Sequence, residues 1–342
     1  MKWNMVFILI LCAASSLAAQ KAYIYEVKGM PVIESATGVQ GKAGKGSALA
    51  YDELLITGKD SSASLVLETT QIVIGQNSGL GFLFTGTGTD PHPAFVPAAG
   101  IVSFTFDGAA SVPVTVIACG TKVSADHAGF TVYTAIDGST VVNVTAGAVK
   151  MDSGKESLRV SAGEFVELKV ERNAVITEDG WTVKLLPQND EPAFDYTSWN
   201  DKKIRRFFED PLEVLAETGS LAETHCVSYD RLAGSYARAT ATWRQAADEY
   251  RSALASEDED IIADARTKRL FPAQDERLRI LNEMRFHARM ALIVRRFSIE
   301  RLFAQFSKTN AVYAQDPVTA RDYLSAYNTI ILRIDETLAN QM

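Results

Sequence analysis

Residues 121–168 read TKVSADHAGFTVYTAIDGSTVVNVTAGAVKMDSGKESLRVSAGEFVEL, and this stretch decides the class of the fold. Short β-branched and aromatic runs are cut by Asp137-Gly138, Gly147, Ser153-Gly154 and Ala162-Gly163-Glu164. Alternating apolar residues between tight-turn dipeptides predict three or four antiparallel strands joined by hairpin turns. Working outward toward the N-terminus, the same rhythm continues. Strand-sized runs occur at Tyr23–Val27, Met30–Glu34, Leu54–Gly58, Ala63–Leu67, Gln71–Gly75, Ile101–Phe106 and Val112–Cys119. Turn signals every eight to twelve residues are the spacing of a sandwich or barrel.

Two glycine-rich segments interrupt this pattern. Gly38–Gly46 holds a GKAGKGS run that a phosphate-cradling loop would resemble, but Ser47 stands where the loop needs lysine, and no helix follows. It reads as a solvated turn. Thr85–Gly100 carries three prolines and reads as a surface loop, outside the core strands. Asp90, His92 and Phe95 are its candidate binding residues.

Several of these runs carry a likeness to a known family. Leu49-Ala50-Tyr51-Asp52-Glu53-Leu54-Leu55-Ile56-Thr57-Gly58 with Ser61–Leu65, then Gly100-Ile101-Val102-Ser103-Phe104, resemble the first signatures of the FecR-like domain. Val123–Ala125, Gly129–Val132, Val142–Val149 and Val160–Glu164 resemble the rest, so the likeness spans about residues 22–170. Tyr51, Thr69-Thr70-Gln71 and His127-Ala128-Gly129-Phe130 depart from the family pattern. The resemblance implies an envelope-side β domain used for interaction. It does not bring a sigma-regulator mechanism, because the family's cytoplasmic segment has no counterpart before the apolar run at Met5–Ala14.

That run is too short to span a bilayer and follows Lys2, so residues 1–19 are expected to be an export signal, cleaved near Ala18. The mature chain is then exported, periplasmic or at the cell surface. Cys119 and Cys226 remain after processing, and they are expected to be buried thiols.

After Pro187–Pro192 the composition changes. Residues 187–198 are expected to be a linker between a β domain (20–186) and an α-helical bundle (199–342), an α+β protein with segregated domains. Asp210-Pro211-Leu212-Glu213, Ser220–Glu223, Ser256–Glu259 and Asp316-Pro317 read as helix starts. Cys226, Tyr229, Ala233, Tyr236, Thr240, Trp243, Ala247, Tyr250 and Leu254 step by threes and fours, the seam of a long coiled-coil-like helix. A further helix is expected from Gln274 to about Ala314. The last carries Leu324, Tyr327, Ile331, Ile334 and Leu338 inward.

The formal charge is −8, and neither half is basic, so a nucleic-acid footprint is absent. Within residues 266–308, however, eleven Lys/Arg face four Asp/Glu. Arg285, Arg289, Arg295, Arg296 and Arg301 are the candidate surface for an acidic partner, an anionic lipid headgroup or an envelope polyanion. The competing reading pairs them with neighbouring acids. His92, His127, His225 and His287 are scattered without ligand spacing, and no nucleophile or metal motif occurs. The sequence therefore points to a non-catalytic envelope module, without cofactor or metal, that binds a protein or cell-wall glycan and can self-associate through its helices. A small-ligand sensor using the Thr85–Gly100 loop, or a glycan-acting enzyme with dispersed acids, are the alternatives.

Overall fold

Two strands of the β half are too long for one sheet, and the way they bend sets the architecture. The structure is a computed structural model. It describes residues 21–339 apart from 36–37, 86–91, 109–113, 154–155, 171–182, 189–193, 257 and 314–316. The expected export segment, residues 1–19, lies outside the described residues. The strands begin as β1 Ala22–Lys28, β2 Val32–Glu34, β3 Gln40–Lys42, β4 Ala48–Leu49, β5 Glu53–Ile56, β6 Ser62–Leu67, β7 Thr70–Ile74 and β8 Gly79–Thr85. They continue as β9 His92–Asp107, β10 Thr115–Ala118, β11 Thr121–Ser124, β12 His127–Thr134, β13 Thr140–Asp152, β14 Ser157–Ser161, β15 Phe165–Val170 and β16 Val183–Gln188.

The first half of β9 pairs with β8 and, in parallel, with β10; its second half pairs with β7 and β12. β13 does the same, passing from β12 and β15 to β11 and β14. Each changes sheet at a glycine. Gly100 has φ 72° and Gly147 φ 65°, a left-handed conformation that side chains disfavour. A Cβ at Gly100 would lie 2.9 Å from Ser78 Cα, so the corner has no room for one. The result is two sheets facing each other across one apolar core, as in a sandwich with shared corner strands. Phe82 stacks on Phe95 at 5.0 Å and Phe104 on Phe130 at 5.2 Å inside it.

Here the structure corrects the proline-rich loop. His92–Gly100 is strand, and Phe95 is fully buried. Pro97 is tolerated because it sits opposite Leu80 at a bulge, where the ladder does not need its missing N–H. The β half also runs two residues into the expected linker, since β16 ends at Gln188.

The helices are α1 Tyr196–Glu209, α2 Pro211–Leu254, α3 Glu259–Asp264, α4 Phe271–Val294, α5 Glu300–Tyr313 and α6 Pro317–Ala339. Short π-helical stretches at Ala265–Leu270 and Arg295–Ile299 connect α3 to α4 and α4 to α5. The Asp210 carboxylate accepts from Glu213 N–H with Pro211 behind it, as expected for a capped start. Two other signals resolve differently. Ser220 starts nothing: α2 passes straight through it, its hydroxyl donates to the Glu217 carbonyl, and Gly219 is small because Ile330 of α6 packs on it. Asp258, not Ser256, caps α3. Pro272 stands in the first turn of α4, where its missing N–H costs least, and the π-helical stretch before it joins that helix to α3. In α6 the inward stripe is one residue earlier than expected at its start: Tyr323 is fully buried while Leu324 is 43% exposed.

The two halves are segregated in sequence but share a core. Met290, Ile293 and Phe297 pack in one cluster with Leu54, Leu83, Val96 and Ile117 of the sandwich. Gly79 makes this approach close, since a Cβ there would come within 2.7 Å of Phe297 Cζ. No helix among the described residues is long and apolar enough to cross a membrane.

Candidate functional site

The arginines expected to form a surface for an acidic partner mostly face inward. Arg289 is 6% exposed, and its guanidinium donates to the Asp52 carboxylate and, at 2.5 Å, to the Asp52 carbonyl. Asp52 holds φ 68° in the turn before β5, which presents both oxygens to the helix. Arg296 donates to Glu34, a 2% exposed carboxylate on β2 that also accepts from Gln40 Nε2 at 2.8 Å. Arg295 bonds Glu300 at 2.9 Å and also Asp335. Arg301 lies over the Phe297 ring at 5.4 Å, and burial holds its guanidinium below the ordinary arginine range. Arg285 alone of the five stays exposed. The physical reason is the packing of α4 on the sandwich: each charge brought to that seam needs an opposite one.

The candidate loop residues also divide. Phe95 is core. His92 begins β9, half-buried, and its buried Nδ1 has no hydrogen-bond partner among the described residues. Asp90 lies outside the described residues.

A second weld joins α1 to the outer face of the other sheet. Phe194 packs on Tyr133 and Phe165 at 4.8 and 5.2 Å, and Lys203 and Trp199 both donate to Glu167. Thr218 of α2 donates to the Asp137 carbonyl at 3.1 Å. With both ends tied down, the sandwich and the base of the helical bundle form a single body.

Beyond that base the bundle thins to two helices. α6 packs along the first half of α2, with Arg333 bonding Glu223 and Asp230, and its end reaches the cluster of Tyr229, Ile280, Met284 and Ala288 through Leu338. Among the described residues, α2 from Tyr236 outward has α3, α4 and the π-helical stretch beside it. Arg269 meets Glu249 at 2.5 Å, and Arg277 lies over the Trp243 ring at 4.6 Å. The nineteen residues from Tyr236 to Leu254, eighteen steps of 1.5 Å, make an arm about 27 Å long. Leu254, Ile261, Phe271 and Leu278 on it are 39–50% exposed. Near its tip a cleft of about 1150 Å³ is lined by Asp248, Glu249, Ser252, Asp260, Asp264 and Arg269, among others.

A pair of histidines that sequence spacing did not connect sits at the arm's base. His225 Nδ1 and His287 Nδ1 are 3.0 Å apart, so one ring donates and the other accepts. Burial, and then His287, hold His225 well below the ordinary histidine range. Burial, and then Arg231, hold His287 at about 4. They lie 62 residues apart on antiparallel helices, each one position before an inward-facing residue, Cys226 and Ala288. That shared offset is the sequence signal that could have paired them. Among the described residues no group of three His, Cys, Asp or Glu is placed to hold a metal ion.

No family model matches the chain, and no curated protein does. Two solved structures described as a putative anti-sigma factor from Parabacteroides distasonis ATCC 8503 are similar to part of it. One is 17% identical with a TM-score of 0.31, the other 16% with 0.30. Each likeness covers 43% of this chain and 63% of the neighbour, so the chain spans less than two thirds of their length.

Proposed function

We propose that this chain is an exported, non-catalytic interaction scaffold of the cell envelope, in which a rigid sandwich base presents the two-helix arm to a partner. One observation carries the reading. Two of the cations that could have formed a binding face, Arg289 of α4 and Arg296 just after it, are consumed in locking the helices to the sandwich, through Asp52 and Glu34. The arm beyond them is left with exposed apolar side chains and no neighbour among the described residues. The apolar leader and the resemblance of residues 22–170 to FecR-like domains support the envelope setting.

The alternatives draw less support. The small-ligand sensor relied on the Thr85–Gly100 loop, of which His92–Gly100 is strand. A glycan-cleaving acid needs a carboxyl held above its ordinary range. In the tip cleft Glu249 is shifted the other way, downward, by its bonds to Arg269 and Gln245.

Photo-crosslinking residues placed one at a time on the arm (at Ala241, Ser252 or Asp275) and on the outer face of the sandwich (at Val73 or Thr105) test this in the intact envelope. Adducts from arm positions are expected. Adducts confined to the sandwich positions refute the reading.

A further inference from the structure

The arm has a charge polarity that bears on what covers it. Seven of its charged side chains are exposed and without an ion pair among the described residues. Asp258, Glu259, Asp260 and Arg266 lie at the tip, Arg266 over the Phe271 ring, and Arg238, Arg244 and Asp275 lie toward the stem. The remaining tip acids are engaged locally, with Asp248 bonded to Arg251, Glu249 to Arg269 and Asp264 to Lys268. The free charges are thus net negative at one end, three acids against one arginine, and net positive at the other, two arginines against one acid, separated along α2 by the ten to sixteen residues between Leu254 and Arg244 or Arg238, about 15–24 Å.

Between these ends lie the exposed apolar residues. Phe271 and Leu278 are seven apart on α4 and therefore share a face. Arg269 opposite Glu249 and Arg277 opposite Trp243 place Phe271 close to the level of Ala247, midway along the arm. Leu254 and Ile261 are at the tip, and Leu278 is nearer the stem.

We infer that the arm's partner is the arm of a second copy of this chain, laid antiparallel to it. A two-fold axis near the level of Phe271 brings each acidic tip against the other arm's Arg238 and Arg244. It also sets Leu278 at the height of the partner arm's tip residues Leu254 and Ile261. The pattern is self-complementary, as an isologous interface must be. A parallel arrangement would instead set tip against tip, with like charges opposed. The arm is about 27 Å long, and two helices are about 20 Å wide together, so its outline approaches the roughly 800 Å² per partner of a stable interface once side-chain relief is counted. This deepens the scaffold reading and uses from it only the arm's freedom from the rest of its own chain. A monomeric chain would overturn the dimer while leaving the crosslinking test of the scaffold untouched.

The test is the mass of the full mature chain in solution by light scattering, at about 0.1 mM and at low and high salt. A dimer that weakens as salt rises is expected. Phe271→Ser/Leu278→Ser should give monomer with unchanged helix content. Glu259→Arg/Asp260→Arg should weaken the dimer at least tenfold at low salt. Adding Arg238→Glu/Arg244→Glu to that same chain should restore it, because each arm then carries the reversed polarity. A monomer under all conditions overturns the inference, and so does a dimer indifferent to all four arm substitutions. Monomeric chains that bind anionic vesicles through the arm would overturn it in favour of a membrane surface.

Discussion

Acid should loosen this protein through the His225–His287 pair well before its carboxylates titrate. Both imidazoles are held neutral in the fold, His287 at about 4 against an ordinary value near 6.5. The sign follows from linkage: a basic group held below its unfolded value contributes stability in full above pH 6.5 and loses it as pH falls toward 4. At pH 5 the unfolded chain has taken up this proton almost completely and the folded chain only about a tenth. That difference is about 2 kcal/mol for His287 alone, growing to roughly 3.4 kcal/mol below pH 4. His225, shifted in the same direction, adds to it. A proton on both rings would also break the Nδ1–Nδ1 bond, since each would then only donate, and a cation at His287 would face Arg231. The assay is urea unfolding at pH 7.5 and pH 5 for the wild type and for His225→Gln/His287→Gln, which cannot titrate. The wild type should lose at least about 2 kcal/mol more than the double variant between the two pH values. Equal losses, within the roughly 0.5 kcal/mol of ordinary additivity, would refute the buried neutral pair.

Two further outcomes test the weld between the halves. Arg289→Met should destabilise the chain by about 2–4 kcal/mol in chemical denaturation, because it strands the Asp52 carboxylate; Asp52→Asn/Arg289→Met should recover part of that loss. Gly79→Ala pushes a methyl into the Phe297 ring and should cost at least about 2 kcal/mol, whereas Phe297→Ala should cost about 3–4 kcal/mol. Combined, they should cost measurably less than their sum, since the second change removes what the first collides with.

Local signals were legible wherever local chemistry decides. Gly100 and Gly147 punctuate the strand pattern and prove to be the two corners where strands change sheet. Asp210-Pro211 caps its helix because the capping geometry involves only four residues. What failed was set by tertiary contact. Pro93 and Pro97 read as loop because proline lacks a donor, yet a bulge and a strand end excuse them. Gly219-Ser220 has the look of a helix break, but the glycine is there to let Ile330 approach. The cluster of arginines was correctly found, and the acids that neutralise it were sought among its neighbours in sequence. Two of the true partners, Glu34 and Asp52, lie at the other end of the chain. The histidine pair was missed for the same reason: its one signal, the shared offset from Cys226 and Ala288, joins the two rings only once the helices 62 residues apart are known to be neighbours.

That separation has a bearing on how the chain assembles. Arg289 and Asp52 are 237 residues apart, and the apolar surface formed by Leu54, Leu83, Val96 and Ile117 is covered only when residues 290–297 arrive. During synthesis the sandwich segment therefore emerges with an unsatisfied greasy face and a buried-to-be aspartate still in water. Contacts of such long range are slow to form, and a partly covered intermediate is prone to aggregate until they do. A chain stopped after β16 would keep that face permanently. The sandwich, for all its completeness as a pattern of strands, depends for its solubility on a helix made nearly a hundred residues later.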